Sequence, residues 1–187
     1  MDIRLNTIAL VIAFFLSSTV FAGDDEMPFR SMLMENSGAM IEDSEAEMER
    51  VDGAVIIEAE TEGLQPGHAY TVWAIVYNDP MDCSGRCSMD DDLALESSSV
   101  LWSGVGFVAD EDGEAEFEAI MVEGEAAGEI LLGEGLTHAE NAVVQLVVRG
   151  HGPASDDPLV LADQLSLFMG GCELNDCVDE QVVTLGG

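Results

Sequence analysis

Chemistry-bearing side chains other than carboxylates are few in this chain: three histidines and four cysteines, set among 38 acids. His68 opens an apolar run. His151 follows the most apolar run, between Gly150 and Gly152. Two histidines and a carboxylate form a ligand set for copper or zinc. If the two runs are neighbouring strands, His68 and His151 could meet, and the sequence leaves open at which end. The competing reading is that His68 caps a turn and His151 hydrogen-bonds a loop backbone. His138 lies in a loop. Asp90, Asp91 and Asp92 offer oxygen ligands for calcium. Asp110-Glu111-Asp112-Gly113 offers them too, but reads as a hairpin turn, and neither stretch follows the twelve-residue calcium-loop pattern. No cofactor is expected, with calcium or a transition metal as the alternative.

Nucleophilic chemistry finds little support. There is no Gly-x-Ser-x-Gly elbow, Ser97 to Ser99 form a loop run, and Ser103 sits within an apolar run. No phosphate-binding glycine loop is present. Carboxylates are too abundant for a glycosidase pair to stand out. The expectation is a non-catalytic protein.

Cys83-x3-Cys87 and Cys172-x4-Cys177 do not have the two-residue spacing common in zinc knuckles. Four cysteines allow three pairings. Two local bridges, each clipping one loop, are preferred. A cross pair such as Cys83 with Cys172 would close a longer loop and constrain the unfolded chain more. A zinc site from all four cysteines is the third reading.

The cysteines sit in a chain that reads as exported. An apolar run from Ile8 to Leu16 follows Arg4, and Val20 and Ala22 suit a signal-peptidase site. Residues 1–22 read as a secretory signal cleaved near Ala22, since the apolar run is shorter than the roughly 20 residues a span needs. Export to periplasm or medium favours disulfides.

The charge is extreme. Five arginines and no lysine leave a formal net charge of -33. Nucleic acid and anionic lipid would be repelled, which leaves an unknown protein or small molecule as partner. An apolar fraction of 48% still supports a folded core. Acids spread along the whole chain suit salty surroundings, marine or hypersaline, where self-repulsion is screened.

The elements that would position these residues are mostly strands. Residues 23–50 read as an acidic, methionine-rich leader, either mobile or ending in an edge strand, and the sequence leaves open whether it joins the sheet; the folded domain is read at 51–187. In Ala54 to Thr61, Val55, Ile57, Ala59 and Thr61 share a face. Thr71 to Tyr77 is apolar on both faces, which suggests a central strand covered on both sides. A loop runs from Asn78 to about Ser98. Val100 to Ala109 and Glu114 to Val122 read as a hairpin about the Asp-Gly turn. Residues 123–141 read as loop with a short strand at Glu129 to Leu132. Ala142 to Arg149 is the clearest core strand, broken by Gly150 to Pro153. Leu159 to Met169 has helical spacing, and Val178 to Leu185 is a last strand. The fold expected is all-β, an antiparallel immunoglobulin-like β-sandwich with at most one short helix.

Two resemblances refine this. Leu64-Gln65-Pro66-Gly67-His68-Ala69-Tyr70-Thr71-Val72 resembles the tyrosine-corner turn of fibronectin type III and other immunoglobulin-like domains. That resemblance implies a structural role for Tyr70, Pro66 and Gly67, with the tyrosine hydroxyl bonded back to the upstream chain. The longer pattern is similar to a family of uncharacterised secreted bacterial proteins: Leu64-x-Pro66-Gly67-His68-Ala69-Tyr70-Thr71-Val72-Trp73, Cys83 with Cys87, Arg149-x-His151-Gly152-Pro153 and Gly170-Gly171-Cys172. It covers most of residues 50–185 and implies no activity.

Overall fold

The computed structural model describes residues 29–31, 33–35 and 38–187, without the side chains of Phe29, Asp90 and Asp91. The expected signal at 1–22 lies outside the described residues. In chain order these form β1 (Phe29–Ser31), β2 (Met34–Glu35), β3 (Glu45–Val51), β4 (Ala54–Thr61), β5 (His68–Tyr77), α1 (Met89–Asp92), β6 (Ser98–Val108), β7 (Ala115–Val122), β8 (Ile130–Leu132), β9 (Val143–Pro153), α2 (Pro158–Gln164) and β10 (Val178–Leu185). The strands make two antiparallel sheets, ordered β1-β3-β4-β7 and β2-β10-β9-β5-β6-β8. This is an all-β sandwich.

Period-two patterning decides which side chains go inward. In β4, Val55, Ile57, Ala59 and Thr61 are buried, while Glu58 and Glu60 face water. In β7, Phe117, Ala119 and Met121 are buried, alternating with exposed Glu116, Glu118 and Ile120. These residues pack against Tyr70, Val72, Ala74 and Val76 of β5 and Val144, Leu146 and Val148 of β9. Each fully buried aliphatic side chain contributes roughly 1.5–3 kcal/mol of hydrophobic stabilisation.

The larger sheet is also covered on its outer face. Trp73, Ile75, Tyr77, Val143 and Val147 form a second apolar cluster with Cys87, against which Leu93 and Phe168 pack. Every residue from Ala69 to Tyr77 is buried, as the two-faced apolar pattern requires of a central strand. The loop after β5 and the segment from α2 to Cys177 form the covering layer.

Four expectations change. The chain from Phe29 onward joins the sheets, so the sandwich takes in more of the chain than a boundary at 51 allows. In β3 only Ala46 and Met48 are buried between glutamates, and the strand expected at the end of the leader lies between β1 and β4 instead of at an edge. Asp110–Gly113 does turn, with the Asp110 carboxylate accepting from the amides of Asp112 and Glu114. The flanking strands then separate, since β6 pairs with β5 and β7 with β4; the turn passes between sheets and closes no ladder. Nor does Gly150-His151-Gly152-Pro153 end β9, which continues to Pro153. A Cβ at Gly150 would displace the Glu180 carboxylate and crowd the Tyr70 ring. Finally, α2 stops at Gln164 and a single helical turn forms at α1.

Candidate functional site

Strands β5 and β9 are neighbours, with Tyr70 opposite Gly150 and Thr71 opposite Arg149. Their odd-numbered side chains at this end point to the outer, covered face. There the Trp73 indole Nε1–H donates to Thr71 Oγ1 at 2.9 Å. Thr71 Oγ1 lies 2.7 Å from His151 Nε2, and His151 Nδ1 lies 2.7 Å from the Gly170 carbonyl oxygen. A carbonyl only accepts, so Nδ1 carries the ring proton. Nε2 is then bare and accepts the threonine hydroxyl. One chain of hydrogen bonds thus runs from Trp73 through Thr71 and His151 to Gly170. Thr71 and His151 are both 0% exposed, and Trp73 is 2% exposed.

The covering layer seals the histidine. Gln164, at the end of α2, donates to the carbonyls of His151 and Pro153 and accepts from the Ser155 amide. Gly170 is close-packed because a Cβ there would strike the Asp163 carbonyl. The Cys172–Cys177 disulfide closes over the ring, with Cys177 Sγ 3.5 Å and Cys172 Sγ 3.9 Å from Nδ1. Burial holds the His151 imidazole below the usual histidine range; the bond to Gly170 and the charge of Asp179 oppose this, while Arg149 adds to it.

Beside this chain lies a buried cation. Arg149 pairs with Asp179, its cross-strand neighbour on β10, and donates from Nε to the Phe168 carbonyl. Its guanidinium stands 4.0 Å over the Phe168 ring, and that ring meets Trp73 edge-on at 5.2 Å. Carboxylate, carbonyl and ring together compensate the desolvation of the guanidinium.

The expected metal ligands do not assemble as proposed. His68 is at the same end of the sheet as His151, but acts on Glu180, which bonds Tyr70 on the inner side. His151 is turned to the opposite face. The side chains of Asp90 and Asp91 lie outside the described residues. Asp92 is buried, and its two oxygens accept from the amides of Ser84 and Ser88. The Ser84 amide, with that of Ser88, holds its carboxyl below the usual range against the effect of burial. Asp92 therefore braces the loop clipped by the Cys83–Cys87 disulfide. Both cysteine pairs are the local ones, and neither the cross pair nor a four-cysteine zinc site forms. Among the described residues, one group brings three metal-ligating atoms within 4.8 Å of one another: His151, Cys172 and Cys177.

Tyr70 is fully buried and its hydroxyl accepts from the Gln65 amide at 3.0 Å while donating to Glu180 at 3.3 Å. Burial pushes that hydroxyl up to about 12, so it stays protonated. Pro66 and Gly67 make the turn before β5, and the Gly67 carbonyl accepts from the Ala154 amide beyond β9. Ser103 donates to the Val72 carbonyl across the β5–β6 bulge.

Sequence reasoning gave no functional role to Thr71, Gln164, Arg149 or Asp179, although Thr71 and Arg149 stand in the quoted motifs. The available signal was Arg149: one of five arginines, placed at the end of the most apolar strand, where a cation requires partners.

On the outer face of the smaller sheet, six glutamates stand in two cross-strand rows: Glu45, Glu60 and Glu116, then Glu47, Glu58 and Glu118. They line a shallow acidic depression. Arg30, opposite Glu47 on β1, pairs with Glu45 and Glu47.

No family model matches the chain, and no curated protein is significantly similar to it.

Proposed function

We propose that the protein is an exported, non-catalytic β-sandwich with a binding or structural role in the cell envelope or the extracellular space. The observation that carries this reading is the sealing of the Thr71–His151 pair. A hydroxyl bonded to an imidazole is the arrangement that activates a nucleophile. Here both residues are fully buried, and both ring nitrogens are already engaged with Thr71 and the Gly170 carbonyl. A substrate would have to displace the disulfide layer to reach them.

Other features support the setting. Two disulfides suit an oxidising compartment, in line with the signal pattern at residues 1–22. Among the described residues no helix is long and apolar enough to cross a membrane. The Gln65–Tyr70 bond supports kinship with immunoglobulin-like sandwiches, and the motifs from Leu64 to Cys172 support kinship with secreted bacterial proteins. The glutamate rows and the formal charge of -33 support a protein adapted to salt.

The test is a panel of chromogenic hydrolase and oxidase substrates presented to the mature, oxidised protein. No turnover above buffer is expected. Turnover that disappears in both His151→Gln and Thr71→Val, with each variant shown folded by circular dichroism, would overturn the reading.

A further inference from the structure

The group formed by His151, Cys172 and Cys177 has a second chemistry, independent of the role proposed above. Its three donor atoms come from two elements that the fold fixes together. His151 is held by β9, with Nε2 bonded to Thr71 and Nδ1 aimed at the C-terminal loop. Both cysteines are in that loop and partly exposed, whereas His151 beneath them is buried. The Gly170 carbonyl oxygen lies 2.7 Å from Nδ1 and 3.8 Å from Cys172 Sγ, on the same side of the ring.

We propose that, once the Cys172–Cys177 disulfide is reduced, His151 Nδ1 and the two thiolates form a zinc site, making this loop a disulfide clip in one redox state and a metal chelate in the other. Two sulfurs and one imidazole nitrogen are a set that zinc favours; the Gly170 carbonyl, which holds the Nδ1 proton in the disulfide state, turns from the nitrogen, and a fourth position is left for water or that carbonyl. The steps balance. A dithiol reductant becomes a disulfide, and its two electrons and two protons convert the cystine to two thiols. Zinc then displaces both thiol protons to solvent. The imidazole stays neutral: once the unclipped loop admits water, Nδ1 releases its proton and Nε2 takes one up, leaving Nδ1 free to ligate. Nε2–H then donates to Thr71 Oγ1, the kind of outer hydrogen bond that orients a ligating histidine. Because the same sulfurs serve both states, zinc must retard reoxidation and reoxidation must expel zinc.

The experiment uses the mature chain, reduced with a dithiol, freed of it anaerobically and titrated with cobalt(II) and then zinc(II). The expected result is one ion per chain, a thiolate-to-cobalt charge-transfer band that zinc abolishes, and at least tenfold slower disulfide formation with zinc present. The band should persist in Cys83→Ser/Cys87→Ser and be lost in Cys172→Ser/Cys177→Ser. In the reduced wild-type protein, zinc should shift the ring nitrogens of His151 but not those of His68 or His138. This nuclear magnetic resonance readout requires no variant to fold. No stoichiometric binding, a band surviving loss of Cys172 and Cys177, or binding that leaves the His151 nitrogens unchanged would each overturn the proposal.

Discussion

Thr71 Oγ1 and His151 Nε2 lie 2.7 Å apart between adjacent strands, and neither residue is exposed to water. Trp73 donates to the same hydroxyl, and Gly170 accepts from the far side of the ring. Replacing Thr71 with valine keeps the shape but strands an indole N–H and a ring nitrogen in a dry site. Each such group costs about 1–3 kcal/mol, so Thr71→Val should lose about 2–6 kcal/mol. Thr71→Ser keeps the hydroxyl and should lose less. Chemical denaturation of the oxidised protein measures both. A neutral Thr71→Val would show that the chain contributes nothing.

The same burial sets a pH dependence. His151 in the folded protein is held below its unfolded pKa. Below the unfolded value of about 6.5, the unfolded chain takes up a proton that the folded protein refuses. Stability from this group is therefore complete above that pH and falls as pH drops below it. His151→Gln should flatten the stability profile between about pH 7 and 5 relative to the wild-type protein, since about 6.5 is the midpoint of the unfolded group. An unchanged slope would contradict the assignment.

Tyr70 ties the turn before β5 to β10 through Gln65 and Glu180. Tyr70→Phe leaves the Gln65 amide without its partner and should cost about 1–3 kcal/mol. At roughly 2–4 °C per kcal/mol for a domain of this size, the melting temperature should fall by about 2–12 °C. A melt within a degree of wild type would count against a structural role for this corner.

The carboxylate rows should make stability depend on salt. Glu58 stands directly between Glu47 and Glu118, and like charges so placed oppose pairing by roughly 0.2–1 kcal/mol. Glu58→Gln should raise the melting temperature at low ionic strength. The gain should vanish near 1 M sodium chloride, where the Debye length is about 3 Å. A gain independent of salt would point to packing instead of charge.

The sandwich was largely legible because its main strands are either evenly alternating (β4 and β7) or largely apolar on both faces (β5 and β9), and these patterns imply one wet face or none. What stayed hidden depended on long-range pairing. Asp110–Gly113 has the chemistry of a hairpin turn, yet nothing local states that Val108 and Ala115 enter different sheets. The glycines around His151 look like breakers until Glu180 and Tyr70 are seen pressed against Gly150. The site was half legible. His151 was singled out, as was its bonding to a loop backbone, and that reading outlasts the pairing with His68. Its true neighbours, Thr71 on one strand and Gly170 with the Cys172–Cys177 pair in the C-terminal loop, come from two distant parts of the chain, and no spacing in the sequence reveals that.

The most direct test of a sealed, structural histidine is the protonation state of His151 itself, read from its ring nitrogens by long-range proton–nitrogen correlation across a pH series in the oxidised protein. The expected result is a ring that is neutral and protonated at Nδ1 at neutral pH, with its titration displaced below the ordinary histidine value of about 6.5, while the protein remains folded. A titration at or above that value, or the Nε2–H tautomer at neutral pH, would contradict it, because either would mean that the ring is open to water or bonded otherwise than to Thr71 and Gly170.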